Sequence, residues 1–104
     1  MACTKRKYFP SKRQTETVMV TFNFEKALTS TETVDASEWS VEVEEGTDAS
    51  PTTTMVIGSP IISGFRVSHL IGSGIMDVIY EIVGQATTSL GQVLEGTGLI
   101  QIRD

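Results

Sequence analysis

Alternation of apolar and polar side chains constrains the fold of this chain more than any other feature. Residues 37–43, SEWSVEV, place a tryptophan and two valines on one side of an extended segment and polar residues on the other. Residues 17–24, TVMVTFNF, alternate in the same way, with two valines and two phenylalanines on one side. Because successive side chains of a β-strand point to opposite faces, each segment predicts a strand with one buried face.

The remaining chain continues this pattern. Further strands are predicted at residues 53–57, 61–70, 77–88 and 92–103, and turn-forming residues separate them at 44–52, 58–60, 72–74 and 89–91. We expect Gly96 and Gly98 to bend or bulge the last strand. No segment shows sustained apolar spacing of three and four residues, so the sequence predicts an all-β protein, an antiparallel β-sandwich of about seven strands.

The positive charge is concentrated at the start of the chain. Residues 1–14 contain five of the eight Lys and Arg residues and none of the thirteen Asp and Glu residues. This segment also has too few apolar groups to pack as a strand. We therefore predict a basic extended N-terminal arm over residues 1–14 and a single β-sandwich domain over residues 15–104.

The residues that could carry chemistry do not form a recognisable catalytic or metal-binding set. His69 is the only histidine, and its neighbours predict a strand histidine with a local hydrogen bond. Cys3, the only cysteine, cannot form an internal disulfide or complete a zinc site with His69 alone. Residues 72–74, GSG, lack the GK[ST] ending of a phosphate loop and predict a turn. We expect no enzyme activity, cofactor or metal.

Two aromatic residues have competing interpretations. Trp39 could stack on a carbohydrate, but its alternation with Val41 and Val43 favours a place in the core. Tyr80 alternates with Val78 and Ile82, which predicts a core tyrosine whose hydroxyl lies near the edge.

Interaction surfaces are predicted at the arm and at one turn. The arm would bind the acidic body of a neighbouring subunit or another component of the same assembly through Lys5, Arg6, Lys7, Tyr8, Phe9, Lys12 and Arg13. The alternatives are a solvated tail and contact with DNA. Ile71, Ile75 and Met76 flank the GSG turn and would form an apolar contact point, unless the loop folds back over the core.

Composition limits the possible partners and the location. No run of about 18 apolar residues is present, so no membrane-spanning segment is predicted. The start of the chain lacks the apolar stretch of a secretory signal, and one cysteine suits synthesis in a reducing cytoplasm. Outside the arm the chain is acidic, which makes nucleic-acid binding by the domain unfavourable.

Several short motifs between residues 8 and 104 together resemble a known family. They are the basic, Pro-containing segment 7–10, Trp39 between alternating residues, Gly64-Phe65, Tyr80, Thr87-Thr88-Ser89 with Gly91, and the ending at residues 100–104. In this layout the chain resembles the immunoglobulin-like fibre–tail adaptor proteins of tailed bacteriophages.

The resemblance implies an immunoglobulin-like fold and a structural role in the virion. It implies docking of tail fibres to the tail or connector, with tail, connector and fibre subunits and neighbouring copies of the chain as partners. The implied location is the tail or neck region of a virion assembled in a bacterial host. A surface- or carbohydrate-binding immunoglobulin-like module and a capsid decoration protein remain the alternatives.

Overall fold

The computed structural model describes residues 8–28 and 31–103, and within them strands account for most of the chain. The strands are β1 (Lys12–Arg13), β2 (Val18–Asn23), β3 (Val34–Glu45), β4 (Val56–Ser63), β5 (Arg66–Ile71), β6 (Ile79–Thr88) and β7 (Val93–Arg103). A 3-10 helix (Glu25–Ala27) and the α-helix α1 (Pro51–Met55) lie between them. No helix in these two ranges is both long and apolar enough to cross a membrane.

The seven strands form two sheets with the order β1-β7-β6-β3 and β2-β5-β4. When β2 to β7 are read as strands B to G, these orders are the C-F-G and B-E-D sheets of an immunoglobulin domain. Every neighbouring pair is antiparallel except β1 and β7, which run parallel. The prediction of an all-β, immunoglobulin-like sandwich of about seven strands is confirmed.

The core lies between the sheets and follows the predicted alternation. Val20 and Phe22 of β2 are buried, and Trp39 and Val41 of β3 face them from the other sheet. Phe22 is the centre of this contact, because its ring stacks on Trp39 with ring centroids 5.2 Å apart and also packs against the rings of its neighbours. The predicted inward faces of both strands are therefore confirmed.

Glycines in β6 and β7 provide room for the rings of the core. Gly84 and Gly96 are register partners, and a Cβ atom on Gly96 would lie 2.6 Å from Cδ1 of Phe22. A Cβ atom on Gly98 would lie 2.4 Å from Cε2 of Phe9. The pairing of β6 with β7 runs without a register shift, so a bulge at Gly96 or Gly98, one of the two predicted irregularities, is wrong. These glycines instead allow aromatic rings to approach the backbone of the sheet.

The middle of the chain differs from the predicted strands. Residues 53–55 lie in α1, because Pro51 suits the first turn of a helix and the hydroxyl of Thr52 bonds the backbone of β3. The predicted break at residues 58–60 is instead a register irregularity inside β4. The predicted continuous segment 61–70 turns at Gly64, whose φ of 59° suits glycine, and forms the β4–β5 hairpin.

Candidate functional site

The part of the arm that the structure describes begins at Tyr8 and lies along β7, which belongs to the larger sheet. The backbone N–H of Phe9 donates to the carbonyl oxygen of Leu99 at 2.8 Å, and Tyr8 forms a parallel bridge to the same residue. Lys12 and Arg13 then pair with the end of β7 as strand β1. The prediction that residues 1–14 cannot pack as a strand is wrong for Lys12 and Arg13. Backbone pairing with β7 and the buried side chain of Lys12 hold this short strand in place, so it needs no apolar side chains.

Lys12 joins this strand to the loop at residues 72–77. Its side chain is 1% exposed, and its ammonium donates to the carbonyl oxygens of Arg13, Glu16 and Ser73 at 2.8, 2.9 and 2.6 Å. Burial lowers the pKa of Lys12, and the nearby Glu16 carboxylate raises it in part. Lys12 is therefore not available to a partner, and its predicted role in partner binding is corrected to an internal one.

The loop that Lys12 contacts is held by several further hydrogen bonds. The side-chain amide of Gln14 donates to the carbonyl oxygen of Gly74 at 3.0 Å. The backbone N–H of Ile75 donates to the hydroxyl of Tyr80 at 2.8 Å, and that of Asp77 donates to the carbonyl oxygen of Ile102 at 2.9 Å. Because its backbone is bonded to three other segments, the loop has a defined conformation.

This loop presents two of the three predicted apolar contact residues. Ile75 is 44% exposed and Met76 is 40% exposed. Ile71 is fully buried, because it is the last residue of β5 and points into the core, so its predicted role as a contact residue is wrong.

The arm and the loop meet at one end of the sandwich. Arg13, Gln14 and Thr15 line a surface concavity of about 130 Å³ together with Met76 and Arg103. We name these five residues and the neighbouring Ile75 the arm–loop surface. Arg103 could not be assigned to this surface from the sequence, because only the β1–β7 register places it beside Arg13.

The other predicted arm residues have different environments. Tyr8 is 62% exposed. Phe9 is half-buried and packs edge-on against Phe22, with ring centroids 5.8 Å apart, so it anchors the arm on its own domain. Lys5, Arg6 and Lys7 lie outside the described residues.

The residues considered for chemistry lie in structural positions. Nδ1 of His69 is 3.1 Å from the carbonyl oxygen of Leu70, and the ring is buried beside Trp39, as predicted for a strand histidine. Trp39 is 9% exposed, which confirms its core position. Within residues 8–28 and 31–103, no three His, Cys, Asp or Glu side chains form a group that could hold a metal ion.

The outer faces of the two sheets differ in chemistry. On the smaller sheet Met19, Leu70 and Ile57 are register neighbours, and all three side chains are exposed. We name this set the apolar row. The apolar row could not be recognised from the sequence, because only the β4–β5 hairpin brings Ile57 beside Leu70. Exposed apolar patches on such a face commonly mark contacts with other proteins.

On the larger sheet the outer face carries acidic residues. Glu38 and Glu42 alternate with the buried residues of β3 and are exposed. Glu38 aligns with Gln85 of β6, which aligns with Glu95 of β7. We name Glu38, Glu42 and Glu95 the acidic face.

Tyr80 is the buried residue that connects the loop to the β3–α1 segment, and it predicts a pH dependence. Its hydroxyl donates to Asp48 at 2.8 Å and accepts from Ile75, and burial is the main cause that raises its pKa to about 12. In the unfolded chain the pKa of this hydroxyl has the ordinary tyrosine value of about 10. The stabilising contribution of the neutral hydroxyl is therefore complete below pH 10 and is lost as the pH rises towards 12.

Urea unfolding between pH 8 and pH 12 tests this expectation. The Tyr80→Phe variant should be less stable than the wild type at pH 8 by about 1 kcal/mol, because it lacks the hydroxyl bonds. The difference should shrink at alkaline pH. A constant difference over the whole range would contradict the role assigned to Tyr80.

The fold and these surfaces define the chain as an immunoglobulin-like sandwich whose exposed features suit binding to other proteins. The chain matches the family described as podophage GP4 fiber-tail adaptor protein gp77 over residues 12–101, which covers nearly the whole sandwich. The chain therefore belongs to this family of phage fibre–tail adaptor proteins, and the predicted resemblance is confirmed. A comparison with curated proteins gives no match.

Proposed function

We propose that this protein is a non-enzymatic component of the virion that docks tail fibres to the tail or connector of a tailed bacteriophage. The observation that carries the proposal is the family match over residues 12–101. That range contains β1, the loop at residues 72–77 and both outer faces of the sandwich. Apart from Arg103, the residues of the arm–loop surface and of the apolar row lie in the part of the chain that matches the adaptor family.

An adaptor has to contact two partners at once, and this molecule exposes two separate surfaces with suitable chemistry. The arm–loop surface combines two arginines with two apolar side chains, and the apolar row lies on the outer face of the smaller sheet. The bonds of Lys12 and Tyr80 fix the arm–loop surface before binding, which lowers the entropic cost of docking.

The exposed cationic and aromatic residues of the arm belong to the same proposal. Arg13 and Tyr8 are exposed, and Lys5, Arg6 and Lys7 precede them in the sequence. The positive charge of the arginines and lysines would attract an acidic surface of a partner and accelerate the association of the two proteins. The alternative role as a carbohydrate-binding module needs an exposed aromatic platform, and the burial of Trp39 weighs against it.

Complementation of phage particles tests the proposed function. Particles assembled without this protein should have tails but lack attached fibres, and addition of the purified chain should restore fibre attachment in negative-stain electron micrographs. Attachment of fibres at the normal level without the protein would contradict the proposal.

A pair of matched variants locates the docking surface in the same assay. The double variant Ile75→Asp, Met76→Asp places charge on the arm–loop surface and should restore few or no fibres. The control Leu90→Asp, Val93→Asp changes two side chains that are 66% and 62% exposed near the opposite end of β7, and it should restore fibres normally. Equal restoration by both variants would exclude Ile75 and Met76 from the contacts that fibre attachment requires.

A further inference from the structure

The arm–loop surface brings two like charges together. Arg13 and Arg103 are register partners in the parallel β1–β7 pair, and both side chains are exposed. Like charges in neighbouring positions of a sheet repel each other, so an anionic partner that contacts both would relieve an unfavourable arrangement. The concavity beside them includes Met76, and none of the described residues that line it is acidic. The two arginines suit a carboxylate of a partner, and Met76 suits an apolar group beside that carboxylate.

Among the described residues, two acidic side chains adjoin the site without lining it, and Asp104 follows Arg103 in the sequence. The carboxylate of Glu16 accepts a hydrogen bond from the backbone N–H of Arg13 at 2.7 Å, and Asp77 follows Met76 in the loop. The Glu16 carboxylate is therefore already bonded to the β1 backbone.

A matching acidic surface exists on the same chain. Glu38 lines a second concavity, of about 190 Å³, together with Trp39, Ser40 and Gln85. Glu42 lies four residues further along the same face of β3, which is the edge strand of its sheet. The acidic face therefore offers exposed carboxylates on the outer side of an edge strand, away from β1 at the opposite edge of the sheet.

We propose that the arm–loop surface of one copy docks on the acidic face of a second copy, with Arg13 and Arg103 opposite Glu38 and Glu42. The contact joins two different surfaces, so each copy keeps one surface free for a further copy. Such a head-to-tail contact produces a ring when the rotation between copies closes. This inference rests on the proposed function, since a ring of adaptors would surround a tail.

Charge complementarity favours a second copy as the occupant. The chain as a whole has a formal net charge of −5, so two copies repel each other unless opposite charges meet. The arm–loop surface and the acidic face provide such a pairing. Because both surfaces are exposed, the attraction should weaken as salt is added.

Sedimentation velocity of the full chain at low ionic strength tests this inference. We expect the wild type to associate as its concentration rises and to dissociate when salt is added. The variants Arg13→Glu, Arg103→Glu and Glu38→Lys, Glu42→Lys should each associate at least about tenfold more weakly, because each places like charges across the contact. A wild type that stays monomeric throughout would overturn the proposal.

Mixing the two double variants provides the specific readout. Each variant has one intact surface that fits the intact surface of the other, and the two altered surfaces also have opposite charges. An equimolar mixture should therefore associate again, although neither variant does so alone. Failure of the mixture to associate, with both variants folded by circular dichroism, would overturn the proposed pairing.

A matched control separates this pairing from a general effect of charge. The double variant Lys26→Glu, Arg66→Glu changes the net charge by the same amount as the arginine variant, at exposed positions outside the arm–loop surface. It should associate like the wild type, and equal weakening would overturn the assignment. If association is unaffected by all variants while fibres still require the protein, the proposed function stands without this inference.

Discussion

Replacement of Phe22 by alanine is expected to lower the free energy of unfolding by about 3–5 kcal/mol, the range typical of a large aromatic removed from a core. Phe22 is 6% exposed and its ring contacts the rings of Phe9, Phe24 and Trp39. It also covers the glycines of β6 and β7, so its loss leaves a cavity between the sheets. Urea unfolding followed by tryptophan fluorescence measures the change.

The neighbouring residue Met19 provides the control for this prediction. Met19 lies on the same strand but is 49% exposed, so Met19→Ala should change the stability by no more than about 0.5 kcal/mol. Similar losses for both variants would contradict the inward alternation of β2.

Replacement of Gly96 tests the packing of the Phe22 ring against the opposite sheet. Its replacement by alanine would place a Cβ atom 2.6 Å from the Phe22 ring and should cost about 1–3 kcal/mol. The cost should fall when Phe22 is replaced by leucine in the same chain, since the two residues are in contact.

Replacement of Lys12 by methionine is expected to cost about 2–3 kcal/mol, because methionine fills similar space but leaves the carbonyl oxygens of Arg13, Glu16 and Ser73 without the ammonium. The substitution should also destabilise the loop at residues 72–77, because one of these bonds joins β1 to Ser73. Hydrogen exchange of the Ile75 amide should therefore become faster in this variant.

The adjacent Arg13 is the matched control for Lys12. Its side chain is exposed, so Arg13→Met should change the free energy of unfolding by no more than about 0.5 kcal/mol. The two variants remove the same charge from neighbouring residues. Equal stability of the Lys12 and Arg13 variants would show that Lys12 does not connect the arm to the loop.

The strands that pack by side-chain alternation were predictable from the sequence. β2, β3 and β6 have one apolar face, so local pattern and tertiary burial agree, and Trp39 and Tyr80 lie where the pattern places them. The β1 strand was not predictable in this way. Its stability comes from backbone pairing with residues about 90 positions away and from one buried ammonium. Neither contribution leaves an apolar pattern in residues 1–14.

Other differences between the structure and what the sequence predicts also arise from contacts between residues that are distant in the chain. Glu32 is 1% exposed, and its carboxylate accepts hydrogen bonds from Thr88 and Gln92 at the β6–β7 turn. The sequence alone suggests an exposed glutamate there, because charged residues are seldom buried without partners. Its donors lie 56 and 60 residues further along the chain.

The residues of the candidate site were also only partly predictable from the sequence. Arg13, Ile75 and Met76 were identified from local charge and hydrophobicity, and the structure places them together at one end of the molecule. Lys12 and Ile71 were assigned to the surface although they are buried. Charge and hydrophobicity indicate the chemistry of a side chain, but only the packing of the two sheets decides whether it is accessible.

Electron cryomicroscopy of intact particles tests the adaptor role most directly. The sandwich should lie between the tail and the attached end of a fibre, with Ile75 and Met76 at a contact with a neighbouring subunit. A sandwich located on the capsid surface, or on the tail with no contact to a fibre, would contradict it.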